Sequence, residues 1–393
     1  MKYNFDEYIN RRNTGSLKWD TLKESELPMW VADMDFKVAT PIIEGFNKRI
    51  NQGIFGYTIL TDEFYASYIN WWKTRHHFDI KKEWLIFSTG VVPTISSSVR
   101  RVTKEGDYVV VLTPVYNIFF NSIINNKRIP LTSNLIYKKE ERRYEIDYVD
   151  LENKLKDPKT TLLIFCNPHN PVGKIWYKED LIKVGELCAK YNVLVLSDEI
   201  HCDLTDPGKE YIPFASVNET NLNNSITCIA PTKAFNLAGI QTSALFIPNE
   251  KIRKIVDRGL NTDEIAEPNI LAAIAPVLAF NYSSDWLDEV REYIYQNKLI
   301  VKKFLEENIK EIKLIESEAT YLLWLDVSSL THDSKKFEEF IREKTGLHLS
   351  EGEEYGEPGK DFLRMNIATR TDNVIDGLNR LKKAVEIYKN LAN

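Results

Sequence analysis

From Trp84 to Ile247 the chain alternates short apolar runs with helical patterns. The runs Trp84–Ser88, Asp107–Leu112, Thr161–Phe165, Val193–Leu196, Ser225–Ala230 and Thr242–Ile247 read as strands. Thr94–Thr103 and Lys178–Tyr191, which lie between such runs, read as helices. Each strand–helix–strand unit closes right-handed, and repetition leaves a mostly parallel sheet covered by helices. In an open α/β sheet ligands bind outside the carboxyl ends of the strands. The residues placed directly after each run are therefore the ones that bear on function.

Three of those places are polar and ordered along the chain. Ala230-Pro231-Thr232-Lys233-Ala234-Phe235-Asn236-Leu237-Ala238-Gly239 puts one lysine in a short turn between two apolar runs. A turn of that kind holds the ammonium at the edge of the core, where desolvation favours the neutral, nucleophilic amine. Such an amine forms Schiff bases with carbonyl compounds. The competing reading of Lys233 is a solvated loop lysine. Asn167-Pro168-His169-Asn170-Pro171-Val172-Gly173 follows one strand candidate, and Ser197-Asp198-Glu199-Ile200-His201 follows the next. Thr89-Gly90-Val91-Val92-Pro93-Thr94 joins a strand to a helix, which aims free backbone amides and a helix dipole at any anion there. Tyr116 also lies just past a carboxyl end, either against a flat ring or as ordinary core packing.

After Glu250 the character changes. Long charged helical patterns fill Ser283–Asn308 and Asp372–Leu391, with strand candidates Tyr321–Leu325 and Phe362–Ile367 between them. This predicts a smaller α+β domain, residues 1–45 plus 285–393, beside a larger domain over 46–284. The N-terminal Leu27–Phe36 stretch is aromatic, acidic and irregular, and precedes a helix opened by Thr40-Pro41. Gly53-Ile54-Phe55-Gly56-Tyr57-Thr58 is a glycine-flanked turn before an aromatic helix from Asp62 to about His76.

At 393 residues two domains are the default expectation. A net charge of −6 with both signs interspersed argues against nucleic acid or an anionic membrane as the main partner. No apolar run approaches the ~18 residues of a membrane span, and Met1–Glu7 carries charges in place of a secretory apolar core. The four cysteines show no C-x-x-C spacing, which predicts reduced thiols in a cytoplasm. The six histidines show no metal-ligand spacing, so no metal is expected.

The order and spacing of Asn170, Asp198 and Lys233 resembles the fold-type I enzymes that use pyridoxal 5'-phosphate, in the aminotransferase class I/II group. Within that group the chain is most similar to the cystathionine β-lyase and C–S lyase branch, the MalY/PatB type. The marks are Ala32-Asp33-Met34-Asp35-Phe36, Gly53–Tyr57, Thr113-Pro114-Val115-Tyr116, Asn167–Gly173, Ser197–His201 and Tyr321-Leu322-Leu323-Trp324-Leu325-Asp326. The resemblance implies an aspartate-aminotransferase-like α/β fold with Lys233 bearing the cofactor and Asp198 facing its ring nitrogen. Asn170 would face the ring oxygen, with His201 near it, and Tyr116 would stack on the ring. Gly90, Val91, Val92 and Thr232 would hold the phosphate, joined by Tyr57 from the second subunit of a homodimer. Arg364 would clamp the carboxylate of a small amino-acid substrate.

Two departures from common aminotransferases stand out. Gln241 occupies the place of a phosphate-binding arginine, and His201 that of a tyrosine. The expected reaction is β-elimination. Lys233 removes the Cα proton, a thiol leaves from Cβ, and pyruvate and ammonia follow; cystathionine would yield homocysteine and cysteine would yield sulfide. The alternatives are an aminotransferase, which uses the same Lys233, and a regulator that binds the cofactor without turnover.

Overall fold

The computed structural model describes residues 2–392. Seven strands form the large sheet: β1 (Leu85–Ser88), β2 (Tyr108–Thr113), β3 (Ile129–Asn134), β4 (Thr160–Cys166), β5 (Leu194–Asp198), β6 (Ser225–Ile229) and β7 (Ser243–Phe246). Their order across the sheet is β1-β7-β6-β5-β4-β2-β3. All pairings are parallel except those of β7, which runs antiparallel to both β6 and β1. It follows that β1, β2, β4, β5 and β6 point the same way. The turns holding Gly90, Tyr116, Asn170, Asp198 and Lys233 therefore leave the sheet at one edge.

Apart from the edge strand β3, the strands are buried on both faces, as crossover helices require. Val109 and Val111 pack with Ile164, Leu196 and Cys228 under one helix layer, and Val110 and Leu112 pack with Leu163, Phe165 and Val195 under the other. This is the period-2 alternation of a strand. Each fully buried aliphatic side chain contributes about 1.5–3 kcal/mol, so the sheet edge is carried on a rigid base.

Helices α1 (Thr40–Ile50) and α2 (Asp62–Arg75) precede the sheet, and α3 (Val91–Val102) and α4 (Lys178–Lys190) cross it. The expected start of α3 at Thr94 is corrected to Val91. Pro93 suggests a boundary but falls in the first turn, where its missing N–H leaves no intrahelical bond unmade. The amides of Val91 and Val92 are consequently the first donors of a helix end. Helices α5 (Ala275–Tyr282) and α6 (Ser284–Asn308) lead to the small sheet, and α7 (Thr371–Ala392) follows it. That sheet holds β8 (Lys313–Leu314), β9 (Leu322–Asp326), β10 (Ser350–Glu351) and β11 (Phe362–Asn366), ordered β8-β9-β11-β10 and antiparallel. Cys166, Cys188, Cys202 and Cys228 are free and buried. Among the described residues no helix is long and apolar enough to cross a membrane.

Gly173 explains how the small sheet docks near the site. Its carbonyl accepts the amides of Glu318 (2.7 Å) and Ala319 (3.1 Å), and its φ is +66°. A Cβ there would lie 2.5 Å from Ser317 Cβ and 2.8 Å from the Ala319 carbonyl oxygen. Left-handed backbone and overpacking act together, so Gly173→Ala is expected to lower stability by about 2–4 kcal/mol in urea unfolding.

Candidate active site

At the common strand edge lies a cavity of about 330 Å³, lined by Gly90, Val91, Val92, Tyr116, Asn170, Asp198, His201, Thr232 and Lys233, with Ala32 and Gln241. Nine residues singled out in the sequence thus meet in one place. Arg364 stands beside it, and Tyr57 does not line it.

Lys233 follows β6. Its Nζ donates to the Ala32 carbonyl at 2.6 Å. Burial, and then the positive charge of Arg364, push its pKa down to about 8 against the opposing pull of Asp33 and Asp198. Asp198 ends β5 and is buried; its Oδ1 accepts the Ile200 amide at 3.2 Å. Burial pushes this carboxyl up to about 7, with the Ile200 amide and the Lys233 charge pulling the other way. A carboxylate so placed needs a cationic N–H donor facing it. Behind it, buried Glu199 accepts from Ser197 Oγ (2.7 Å), the Phe214 amide (2.9 Å) and the Tyr211 hydroxyl, and burial raises it to about 8.

His201 is buried and pushed down to about 3, by desolvation and then by the charges of Lys233 and Arg364. It is neutral near pH 7, and its Nδ1 has no hydrogen-bond partner. Tyr116 follows β2, and burial raises its phenol. At the other end of the cavity the start of α3 offers backbone amides, with Thr232 nearby. Gln241, in left-handed backbone at φ +58°, supplies a neutral side chain there.

Arg364 is central in β11, a strand paired on both sides. It pairs across to Trp324 and Ser350, and its guanidinium lies 4.9 Å from the Tyr355 ring centre. Nη1 donates to Asn170 Oδ1 (3.3 Å) and Nη2 to the Trp30 carbonyl (2.9 Å), while Nε has no partner. Since Asn170 Oδ1 takes the guanidinium, its amide Nδ2 remains a donor. Tyr321, at the start of the Tyr321–Asp326 motif, donates to the Ala32 carbonyl at 3.1 Å. The involvement of Ala32 has no side-chain signal at all, because it acts through its carbonyl.

Tyr57 is fully exposed, in an irregular segment with exposed Ile54, Phe55 and Ile59. His76, Cys202 and Asp203 meet elsewhere, with ligand atoms within 4.8 Å of one another, a grouping that chain spacing does not reveal. There Asp203 Oδ1 already accepts from Trp71 Nε1 and pairs with His76 Nε2, each at 2.9 Å.

The cavity's donor set fits pyridoxal 5'-phosphate: an amine of lowered pKa, a buried carboxyl awaiting a cationic N–H, an unpartnered imidazole nitrogen and a helix N-terminus for an anion. A family model for aminotransferases of class I and II matches residues 33–380. Cystathionine beta-lyase PatB of Bacillus subtilis is 39% identical over 97% of this chain and 100% of its own. Cystalysin of Treponema denticola, whose crystal structure contains pyridoxal 5'-phosphate, aligns with a TM-score of 0.95 and 38% identity over 98% of this chain and 100% of its own. The pyridoxal-phosphate-bound C–S lyase of Staphylococcus hominis aligns at 0.91 with 31% identity, over 98% of this chain and 99% of its own.

Proposed function

The chain belongs to the aminotransferase class I and II family, and from that premise we propose that it is a cytoplasmic carbon–sulfur β-lyase acting on L-cystathionine and related S-substituted cysteines. The observation that carries this reading is the end-to-end likeness to PatB, a cystathionine beta-lyase. Its cofactor is pyridoxal 5'-phosphate, which when bound supplies an electron sink conjugated to the substrate Cα.

Each residue's part follows from its surroundings. Lys233 holds the cofactor and, once free, its neutral amine takes the proton from Cα. Asp198 would hold a negative charge toward the ring nitrogen. Asn170 would donate through Nδ2 toward the ring oxygen, with neutral His201 beside it, and Tyr116 would cover one face of the ring. The amides at Gly90, Val91 and Val92, with Thr232, would hold the phosphate. The Cβ–S bond breaks with its electron pair going to sulfur, which is protonated as a thiol. The remaining three-carbon enamine takes up one water to give pyruvate and ammonia.

Arg364 meets the substrate carboxylate as a two-pronged donor. Hydrogen bonds to a charged group are worth about 1.5–3 kcal/mol. Arg364→Ala is thus expected to raise KM for L-cystathionine by about 100-fold, with a smaller fall in kcat.

Residues 46–284 are assigned to a larger domain, and residues 1–45 with residues 285–393 to a smaller one. Exposed Ile54, Phe55, Tyr57 and Ile59 support a homodimer in which Tyr57 reaches the partner's phosphate site. Sedimentation velocity reads that assembly directly.

The test of the reaction is incubation with L-cystathionine and no keto acid. Equal amounts of pyruvate and free thiol are expected. Product that forms only after a keto acid is added would make the protein a transaminase.

A further inference from the structure

Residues 29–36 form an irregular arm before α1, and most of its carbonyls accept side-chain donors from elsewhere in the chain. The Met29 carbonyl accepts the Asn366 amide (2.8 Å), and the Trp30 carbonyl accepts Arg364 Nη2 (2.9 Å) and Ser350 Oγ (3.2 Å). Ala32 O takes both Lys233 Nζ (2.6 Å) and the Tyr321 hydroxyl (3.1 Å). Asn366 Nδ2 bridges the carbonyls of Val31 and Asp33. Asn236, three residues beyond Lys233, receives the Met34 amide (3.1 Å) and donates to the carbonyls of Met34 and Phe36 (3.0 Å each). The arm thus touches the cavity through carbonyl oxygens, two of which receive Lys233 and Arg364.

Its outer side is held by charge. Arg11 Nη2 lies 2.9 Å from Asp33 Oδ2, and Arg11 Nη1 lies 2.7 Å from Asp35 Oδ1. Lys18, with a side chain 1% exposed, places Nζ 2.9 Å from Asp35 Oδ2, and Trp19 Nε1 donates to Asp35 Oδ1 at 2.9 Å. Two cations and two carboxylates balance in a cluster whose Lys18–Asp35 half is buried and whose Arg11–Asp33 half is partly exposed. Removing one member leaves an uncompensated charge, so the cluster holds together or opens as a unit.

We propose that Arg11 and Lys18, acting through Asp33 and Asp35, are positioning residues for Lys233: they lock the arm so that the Ala32 carbonyl receives the Lys233 ammonium. During turnover that amine must be free and yet stay within reach of the substrate Cα, and a fixed acceptor defines where it rests. This role in turnover rests on the β-lyase reading; the contact itself does not.

The test is made on cofactor-free protein, so that it is read apart from the reaction catalysed. Lysines are labelled competitively with acetic anhydride and quantified by peptide mass spectrometry, with buried Lys298, paired to Asp206 far along the chain, as the internal reference. Arg11→Ala is expected to raise labelling of Lys233 about ten-fold relative to Lys298 and to speed hydrogen exchange across residues 30–36 by at least as much. Asp35→Asn, close to isosteric, is expected to act in the same direction and serves if Arg11→Ala fails to fold. Arg11→Lys restores most of the protection, since one cation still reaches the cluster.

Faster exchange of the arm with Lys233 labelling within two-fold of wild type overturns the proposal. So does an equal rise at Lys298, which marks general loosening, and so does unaltered exchange of the arm.

Discussion

Lys233→Ala is expected to lower pyruvate formation from L-cystathionine by about 10⁴-fold, because one amine serves as both cofactor anchor and base. With a pKa of about 8, roughly a tenth of the amine is neutral at pH 7. At the ordinary value of 10.5 that fraction would be roughly 300-fold smaller. Burial therefore supplies a large part of the base's readiness. Lys233→Arg keeps the cation but cannot lose its proton, so the same loss is expected from it. A coupled lactate dehydrogenase assay, with cofactor content measured in parallel, checks both. A fall of less than ten-fold in a folded variant would assign the proton to another group.

Asp198→Asn is expected to lower kcat by about 10³-fold, the scale for removing a preorganised charge aimed at the reacting system. Its effect on the cofactor-free protein has the opposite sign. In the folded chain the Asp198 pKa rises from 3.8 to about 7. Between those values the folded state binds the proton that the unfolded state has lost, so Asp198 costs stability progressively as pH rises from about 4 to about 7. The full effect is on the order of 4 kcal/mol. Thermal unfolding of the cofactor-free proteins should show the asparagine variant and wild type matched near pH 4, with the variant increasingly the more stable toward pH 7. His201, whose pKa falls from 6.5 to about 3, contributes stability that is lost as pH falls through that range. Since it is present in both proteins, the comparison isolates Asp198. Bound cofactor supplies the missing cation and should remove most of the difference.

What the chain discloses before folding follows from where information is local. Gly90, Tyr116, Asn170, Asp198 and Lys233 are readable because each sits directly after an apolar strand, and the parallel sheet brings those ends together. The start of α3 lies three residues before the expected Thr94, because Pro93 is accommodated in the first turn of a helix. The arm resists reading for a different reason. Ala32 and Trp30 act through carbonyls, which every residue carries, and Arg11 meets Asp33 and Asp35 only after the chain folds back. Gly173 is visible as a motif glycine, yet its contact with Ser317 and Ala319 lies more than 140 positions away. The Asp203 grouping likewise joins His76 to residues far along the chain.

The burial of all four cysteines also bears on the medium the enzyme creates. A catalyst that releases thiols or sulfide raises their concentration around itself, and any disulfide or polysulfide formed from them seeks protein thiolates. Burial raises Cys166, Cys188, Cys202 and Cys228 above the usual thiol range. Thiolates, the species that exchange, are thereby suppressed at every cysteine of the chain. Burial and a raised thiol pKa thus both oppose exchange of these cysteines with disulfides or polysulfides formed from the product, including at Cys166, which lines the cavity.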